Sequence, residues 1–305
     1  MPPSLLAFIA IFMLGALLRN TGLLTKQDAE RLAGIVFTVS LPATILVSLD
    51  RITLSAATWK LPAAAWLVTL SMLVLAWRIA VALRLPRPTQ GGFLLATGCI
   101  NSVYFAYPVA LATLGEAGLA RTILFDLGQA TLTLTVLYAV AAWHGEAPTA
   151  PYSLFARLAS SPPVWALAAT MALKFLGLRL PPDLVSLLQP LHSTTTPWAS
   201  LVLGLSISFT ALHRTLPLAL LGVIVRMGGG LLLGVAVATL LDLTDTARVV
   251  VILVAAMPSA VTAVIFAAET RLDEELVASI VALSLCVGAA LLPWLPFFAT
   301  ALTMP

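Results

Sequence analysis

The sequence predicts an all-α integral membrane protein of ten transmembrane helices. They form two inverted five-helix repeats, with Pro-broken crossover helices at the fourth and ninth spans. Three observations predict it. First, 60% of the 305 residues are hydrophobic and only 10% are charged, against about 25% charged in an ordinary soluble domain. The mean hydropathy is +1.05, and a water-soluble chain of this size has too little interior to hide that apolar surface. Second, charged residues, Gly and Pro cut the chain into ten apolar runs. Third, the interruptions inside those runs recur in the same order in both halves. Such a composition excludes a soluble enzyme, a nucleic-acid binder and a disordered chain. The excess of 16 basic over 13 acidic residues is too small to suggest an electrostatic partner.

A helix needs roughly 20 apolar residues to cross the hydrocarbon core, and the ten runs fall at about 3–18, 31–49, 61–83, 91–113, 118–142, 153–175, 184–210, 216–241, 247–268 and 276–299. The first has no basic residue before it and no small-residue cleavage site after it. It reads as a retained helix ending at Arg19, not as a signal peptide. The second contains Pro42, the third Arg78, the fourth Pro108, and the fifth Asp126 and Gln129. The first repeat is thus 1–145. A short central loop, 146–152, joins it to the second repeat, 153–305. The seventh span opens with His192 beside Ser193, Thr194, Thr195 and Thr196, then Pro197. A lone His there is expected as a surface or capping residue. The eighth holds Arg226, expected to snorkel to the surface from the first turn, and a small-residue face of Gly230 and Gly234, expected for close packing. The ninth is broken at Pro258. Cys99 and Cys286 lie in apolar runs and are expected to be inert.

The repeat rests on matched interruptions: Pro42 with Pro197, Arg78 with Arg226, and Pro108 with Pro258. From Arg78 to Pro108 is 30 residues, and from Arg226 to Pro258 is 32. Gly118–Leu124 (GLARTIL) also resembles Glu275–Val281 (ELVASIV). Five spans is an odd number, so the second half enters the membrane upside down. Inverted repeats are an architecture of secondary transporters. Of the 16 Lys and Arg, ten fall on one side of the ten-span topology and six on the side of the termini. The positive-inside rule then puts the first side in the cytoplasm and the N- and C-termini outside; the expected location is the plasma (cell inner) membrane, multi-pass.

A proline in a span removes an N–H and clashes with the preceding turn. Irregular backbone at membrane depth is tolerated only beside a cavity or other protein. Two such breaks near a pseudo-two-fold axis would turn half-helix N-termini, with their positive dipole ends, toward an anion. The alternative is a simple packing kink. The expected substrate-binding residues are Asn101, Ser102, Tyr104, Tyr107 and Pro108 around the first break, and Pro258, Ser259 and Thr262 around the second. Asn101 both donates and accepts, which suits an anion or a freed carbonyl. The two tyrosines have packing as their alternative. Asp126 sits where a charge costs roughly 2.5–3.5 kcal/mol. With Gln129 on the same face, it is read as a coupling or gating residue or as a structural ion pair. No catalytic, metal-binding or cofactor motif appears: there is no phosphate loop, His-x-x-x-His pair or nucleophile elbow.

The segment GCINSVYFAYPVALATLGEAGLARTILFDLGQA resembles the fourth and fifth spans of the auxin efflux carrier family. The runs VFTVSLPATILVSL and AMPSAVTAVIFA are similar to the same family, and the resemblance covers essentially the whole chain. It is closest to short prokaryotic members described as permeases for malate, malonate or similar dicarboxylates. Thr262 departs from the pattern, since many members carry Asn shortly after the second Pro. The resemblance implies a scaffold of spans 1, 2, 6 and 7 and a moving part of spans 3–5 and 8–10, with an elevator-like shift between them. It implies a secondary transporter of small organic anions (mono- or dicarboxylates, auxin-like weak acids), not an enzyme. The expected partners are that anion, the lipid bilayer and a second copy in a homodimer, with no nucleic acid. A non-transporting receptor or scaffold on the same fold is the alternative. It predicts binding without flux.

Overall fold

The computed structural model describes residues 3–52, 56–146, 159–207 and 212–294. The expected central loop beyond Glu146 and the expected start of the sixth span at 153–158 lie outside the described residues. In chain order the helices are α1 (Pro3–Asn20), α2 (Lys26–Ile35), α3 (Leu41–Asp50), α4 (Lys60–Ala82), α5 (Arg87–Gly98), α6 (Tyr107–Leu132), α7 (Tyr138–His144), α8 (Pro162–Phe175), α9 (Pro182–Leu205), α10 (Leu212–Val223), α11 (Gly230–Leu240), α12 (Asp245–Ala255), α13 (Thr262–Thr270) and α14 (Glu274–Leu291). Short π-helical turns join α2 to α3, α6 to α7 and α10 to α11. The protein is thus all-helical among the described residues, apart from an isolated β-bridge between Ile100 and Ser259.

Among the described residues, six stretches are long and apolar enough to cross a membrane: Pro3–Asn20, Gln27–Asp50, Lys60–Ala82, Ser102–His144, Arg214–Leu240 and Glu274–Trp294. The expected fourth and fifth spans fall together in one of these, and the expected sixth, seventh and ninth in none. The helices at the fourth, sixth and ninth positions are short: α5, α8, and α12 with α13. The fourth and fifth spans share α6, which bends at Gly115 (φ 67°, ψ −166°), a backbone conformation open almost only to glycine. The seventh, α9, is long, but its Ser/Thr-rich turn and Pro190 and Pro197 lower its hydropathy.

The helices group into two compact units. Unit 1 comprises Met1–Thr58, Val103–Ile123 and Tyr152–Ile207. Its α1 and α9 meet through glycines: a Cβ on Gly15 would lie 2.6 Å from the Leu201 carbonyl oxygen, and one on Gly204 would lie 2.1 Å from that of Phe12. The π-turn Val36–Ser40 ends just before Pro42, which lacks the N–H to continue a regular ladder. Thr25 starts α2 with a capping box to Asp28.

Unit 2 comprises Trp59–Ser102, Leu124–Pro151 and Ser208–Pro305. Within it α11 packs on α12 through the expected small face. A Cβ on Gly230 would sit 2.0 Å from the Ala255 carbonyl oxygen, and one on Gly234 would sit 2.9 Å from the Ala255 Cβ. Gly128 meets the backbone of Pro62 in the same way. Asp273 caps α14 by accepting from the Leu276 N–H, and it also accepts from the Thr89 hydroxyl.

Candidate functional site

The polar centre of unit 2 is built where α5 and α12 stop. α5 ends at Gly98, and Cys99 is already extended (φ −80°, ψ 117°). α12 ends at Ala255, and Pro258 lies in the unwound stretch before α13. The two stretches run antiparallel and exchange backbone bonds. The Asn101 N–H donates to the Pro258 carbonyl at 2.9 Å, and the Ala260 N–H donates to the Cys99 carbonyl at 3.1 Å. Backbone that leaves a helix in an apolar interior must find such partners. Pro258 suits this place, because a residue without an N–H loses nothing here, while its carbonyl accepts.

Pro108 corrects the sequence reading of the first break. It lies just after the π-helical turn Ser102–Ala106, as Pro42 lies just after Val36–Ser40, so the helix runs on through it with a local irregularity where the N–H is missing. The helix is interrupted several residues earlier, at Cys99–Asn101, where the Asn101 N–H is drawn to a partner far along the chain.

The expected substrate residues divide between the two units. In unit 2, Asn101 is buried, and its side-chain N–H donates to the Ser259 carbonyl at 3.3 Å. The Ser259 hydroxyl donates to the Ala96 carbonyl at 2.5 Å, and the Ser259 N–H donates to the Ser284 hydroxyl at 3.0 Å. Ser259 is therefore fully committed to holding the pairing. The Ser102 hydroxyl is buried and has no hydrogen-bond partner among the described residues. Thr262, half-buried, opens α13. In unit 1, the Tyr104 hydroxyl donates to the Ala33 carbonyl at 3.4 Å. Tyr107 and Pro108 are buried at the start of α6.

Two side chains close the ends of the interrupted helices. Arg226 is fully buried (0% exposed) and donates to the carbonyls of Thr97, at 2.6 Å, and of Ala255. The expectation that Arg226 snorkels to the surface is overturned. The last turns of α5 and α12 offer it carbonyls that have no continuing helix to serve. Arg78, paired with it in the expected repeat, is exposed and lies over the Trp77 ring. Gln129, also buried, donates to the Gly98 carbonyl at 3.2 Å and to the Thr133 hydroxyl at 3.2 Å, and it accepts from the Thr69 hydroxyl at 2.5 Å. Asp126, one turn earlier, is half-buried.

Unit 1 holds a second polar cluster, of which the sequence marked His192 and Thr195 but not the partners Glu116 and Thr44. His192 is buried (4% exposed), not a surface or capping residue as expected. One ring nitrogen is 3.0 Å from a Glu116 carboxylate oxygen, and the other is 3.3 Å from the Thr44 hydroxyl. Thr44 and Thr195 share a 2.7 Å bond, and Arg51 lies 3.5 Å from Glu116. Gly115 bends the chain immediately before Glu116.

Comparison with known proteins agrees with this architecture. Residues 3–298 match the family described as membrane transport protein. An uncharacterized transporter of Methanothermobacter thermautotrophicus is 28% identical over 297 residues, covering 95% of each chain. An uncharacterized transporter of Methanocaldococcus jannaschii is 27% identical over 281 residues, 90% of this chain and 91% of that one. With its apolar helices and a match over nearly its whole length, the chain belongs to this membrane transport protein family, the auxin efflux carriers.

Proposed function

We propose that the protein is a secondary transporter of small organic anions that works by elevator-type alternating access. In this reading ten spans form two inverted repeats, α5 and α12 are the N-terminal halves of two interrupted crossover helices, the second with Pro258 in its break, and the termini lie outside the plasma membrane. The observation that carries it is the antiparallel pairing of the two unwound segments at Ile100 and Ser259. That pairing leaves Ser102 with a buried, unpartnered hydroxyl beside Asn101. An orphan of this kind costs about 1–3 kcal/mol and is tolerated where a ligand supplies the missing partner. α13 begins at Thr262 directly after the pairing, so its positive end adjoins the same segment. Asn101, Ser102 and Thr262 are proposed as substrate contacts, while Pro258 and Ser259 shape the backbone. Spans 1, 2, 6 and 7 group within unit 1, which supports a scaffold role for it, but Val103–Ile123 of the fourth and fifth spans groups there too, so the proposed moving part is unit 2 alone.

The test is uptake of radiolabelled malate, malonate and indole-acetic acid into proteoliposomes. Asn101→Ala is expected to lower the initial rate about tenfold or more, a loss of about 1.4 kcal/mol. Equal transport by wild type and variant would remove Asn101 from the site. Saturable binding without flux would replace the transporter reading with that of a receptor.

A further inference from the structure

We propose that Arg226 is a resident cation: it occupies the place between the two interrupted helices that a co-transported cation would otherwise fill. The proposal rests on the transporter reading above and goes beyond it to name the coupling chemistry. In carriers with discontinuous helices, carbonyls at half-helix C-termini are ligands for sodium. Here the corresponding carbonyls, Thr97 near the end of α5 and Ala255 at the end of α12, both accept from the guanidinium of Arg226. Each helix C-terminus carries about half a negative elementary charge. Two of them match one guanidinium, so the assembly is close to neutral with no carboxylate among Arg226's hydrogen-bond partners in the described residues.

The surrounding backbone is shaped for this side chain. Arg226 sits in a π-helical turn, Ile224–Gly229, a local irregularity common at functional sites. The next residue is Gly230. A Cβ there would lie 2.0 Å from the Ala255 oxygen and 2.7 Å from an Arg226 terminal nitrogen. The glycine admits the α12 terminus and the guanidinium together. With the charge covalently supplied and the carbonyls occupied, the site has neither the need nor the vacancy for sodium. Any ion coupling must therefore arise elsewhere or be absent.

The experiment reads thermal unfolding of the full chain in detergent, with sodium chloride exchanged for choline chloride at equal ionic strength. No substrate is needed, so this arm stands or falls independently of the transport assay. The wild type is expected to be indifferent to the exchange. A saturable sodium-dependent rise in its unfolding temperature overturns the proposal. Arg226→Lys keeps a charge and Arg226→Met keeps bulk without one. The Lys variant is expected to unfold about 5 °C or more above the Met variant, and the reverse order overturns the proposal. Arg226→Ala opens the space. Its loss of stability is expected to be at least half restored by about 20 mM guanidinium or sodium ion but not by choline. Equal response to all three overturns the proposal. If the Ala variant does not fold, the wild-type sodium titration and the Lys–Met comparison still decide. In proteoliposomes that transport, the wild-type rate should be unchanged when the sodium gradient is removed.

Discussion

Arg226 and Gln129 do at residue scale what a continuing helix would otherwise do: they supply donors to the last carbonyls of α5 and α12. Gln129→Leu would leave the Gly98 carbonyl and the Thr69 hydroxyl without this partner. At about 1–3 kcal/mol for each buried orphan, and about 2–4 °C per kcal/mol, its unfolding temperature should fall by several degrees. An unchanged value would make the cap dispensable. The Glu116–His192 pair gives a second case. Glu116→Gln can still hydrogen-bond the buried imidazole, whereas Glu116→Leu leaves it without that partner. The Leu variant should therefore lose about 1–3 kcal/mol more than the Gln variant, read by the same melt. The sequence located Asn101, Ser102, Gln129 and Pro258 as polar or breaking residues in apolar runs. It could not tell that the Ser259 hydroxyl is consumed by the Ala96 carbonyl, because that partner is 163 positions away in the chain.

At the scale of the element, glycines and prolines decide where helices approach and where they stop. α1 and α9 are close because Gly15 and Gly204 leave no Cβ between backbones. Gly204→Val should force them apart and destabilise unit 1 by about 1–3 kcal/mol, seen as earlier proteolysis of that unit under mild denaturant. Gly115→Ala would set an L side chain at φ 67°, ψ −166°. A cost of about 1–3 kcal/mol should accompany disturbance of the adjacent Glu116–His192 contact. Wild-type stability would show that the bend relaxes freely. The helix positions were largely legible, since apolar runs of membrane length announce themselves. The first break was read at Pro108 and lies at Cys99–Asn101, because the π-turn Ser102–Ala106 absorbs the proline while the Asn101 N–H is drawn to the Pro258 carbonyl.

For the whole molecule, the proposed ten-span topology puts both termini on the outer face. A reporter active only outside the cytoplasm, fused at the C-terminus, should be active, and one fused near Arg87 should be silent. The opposite pattern would invert the orientation. Membrane residence and family membership were readable from composition and from a resemblance spread along the chain. The grouping of Val103–Ile123 with unit 1 was not, because contiguity in sequence assigned the whole fourth span to one body.

The sequence by itself determined that this protein lives in a bilayer, that it is helical, and which few polar residues interrupt its spans. Those are consequences of composition and local pattern, which need no partner to be expressed. Only the tertiary structure decided what the interruptions do. It joined Ile100 to Ser259, buried Arg226 against two helix ends and turned His192 inward to Glu116. Each of these is a hydrogen bond between residues far apart in sequence, and a buried polar group takes its meaning from the partner that satisfies it.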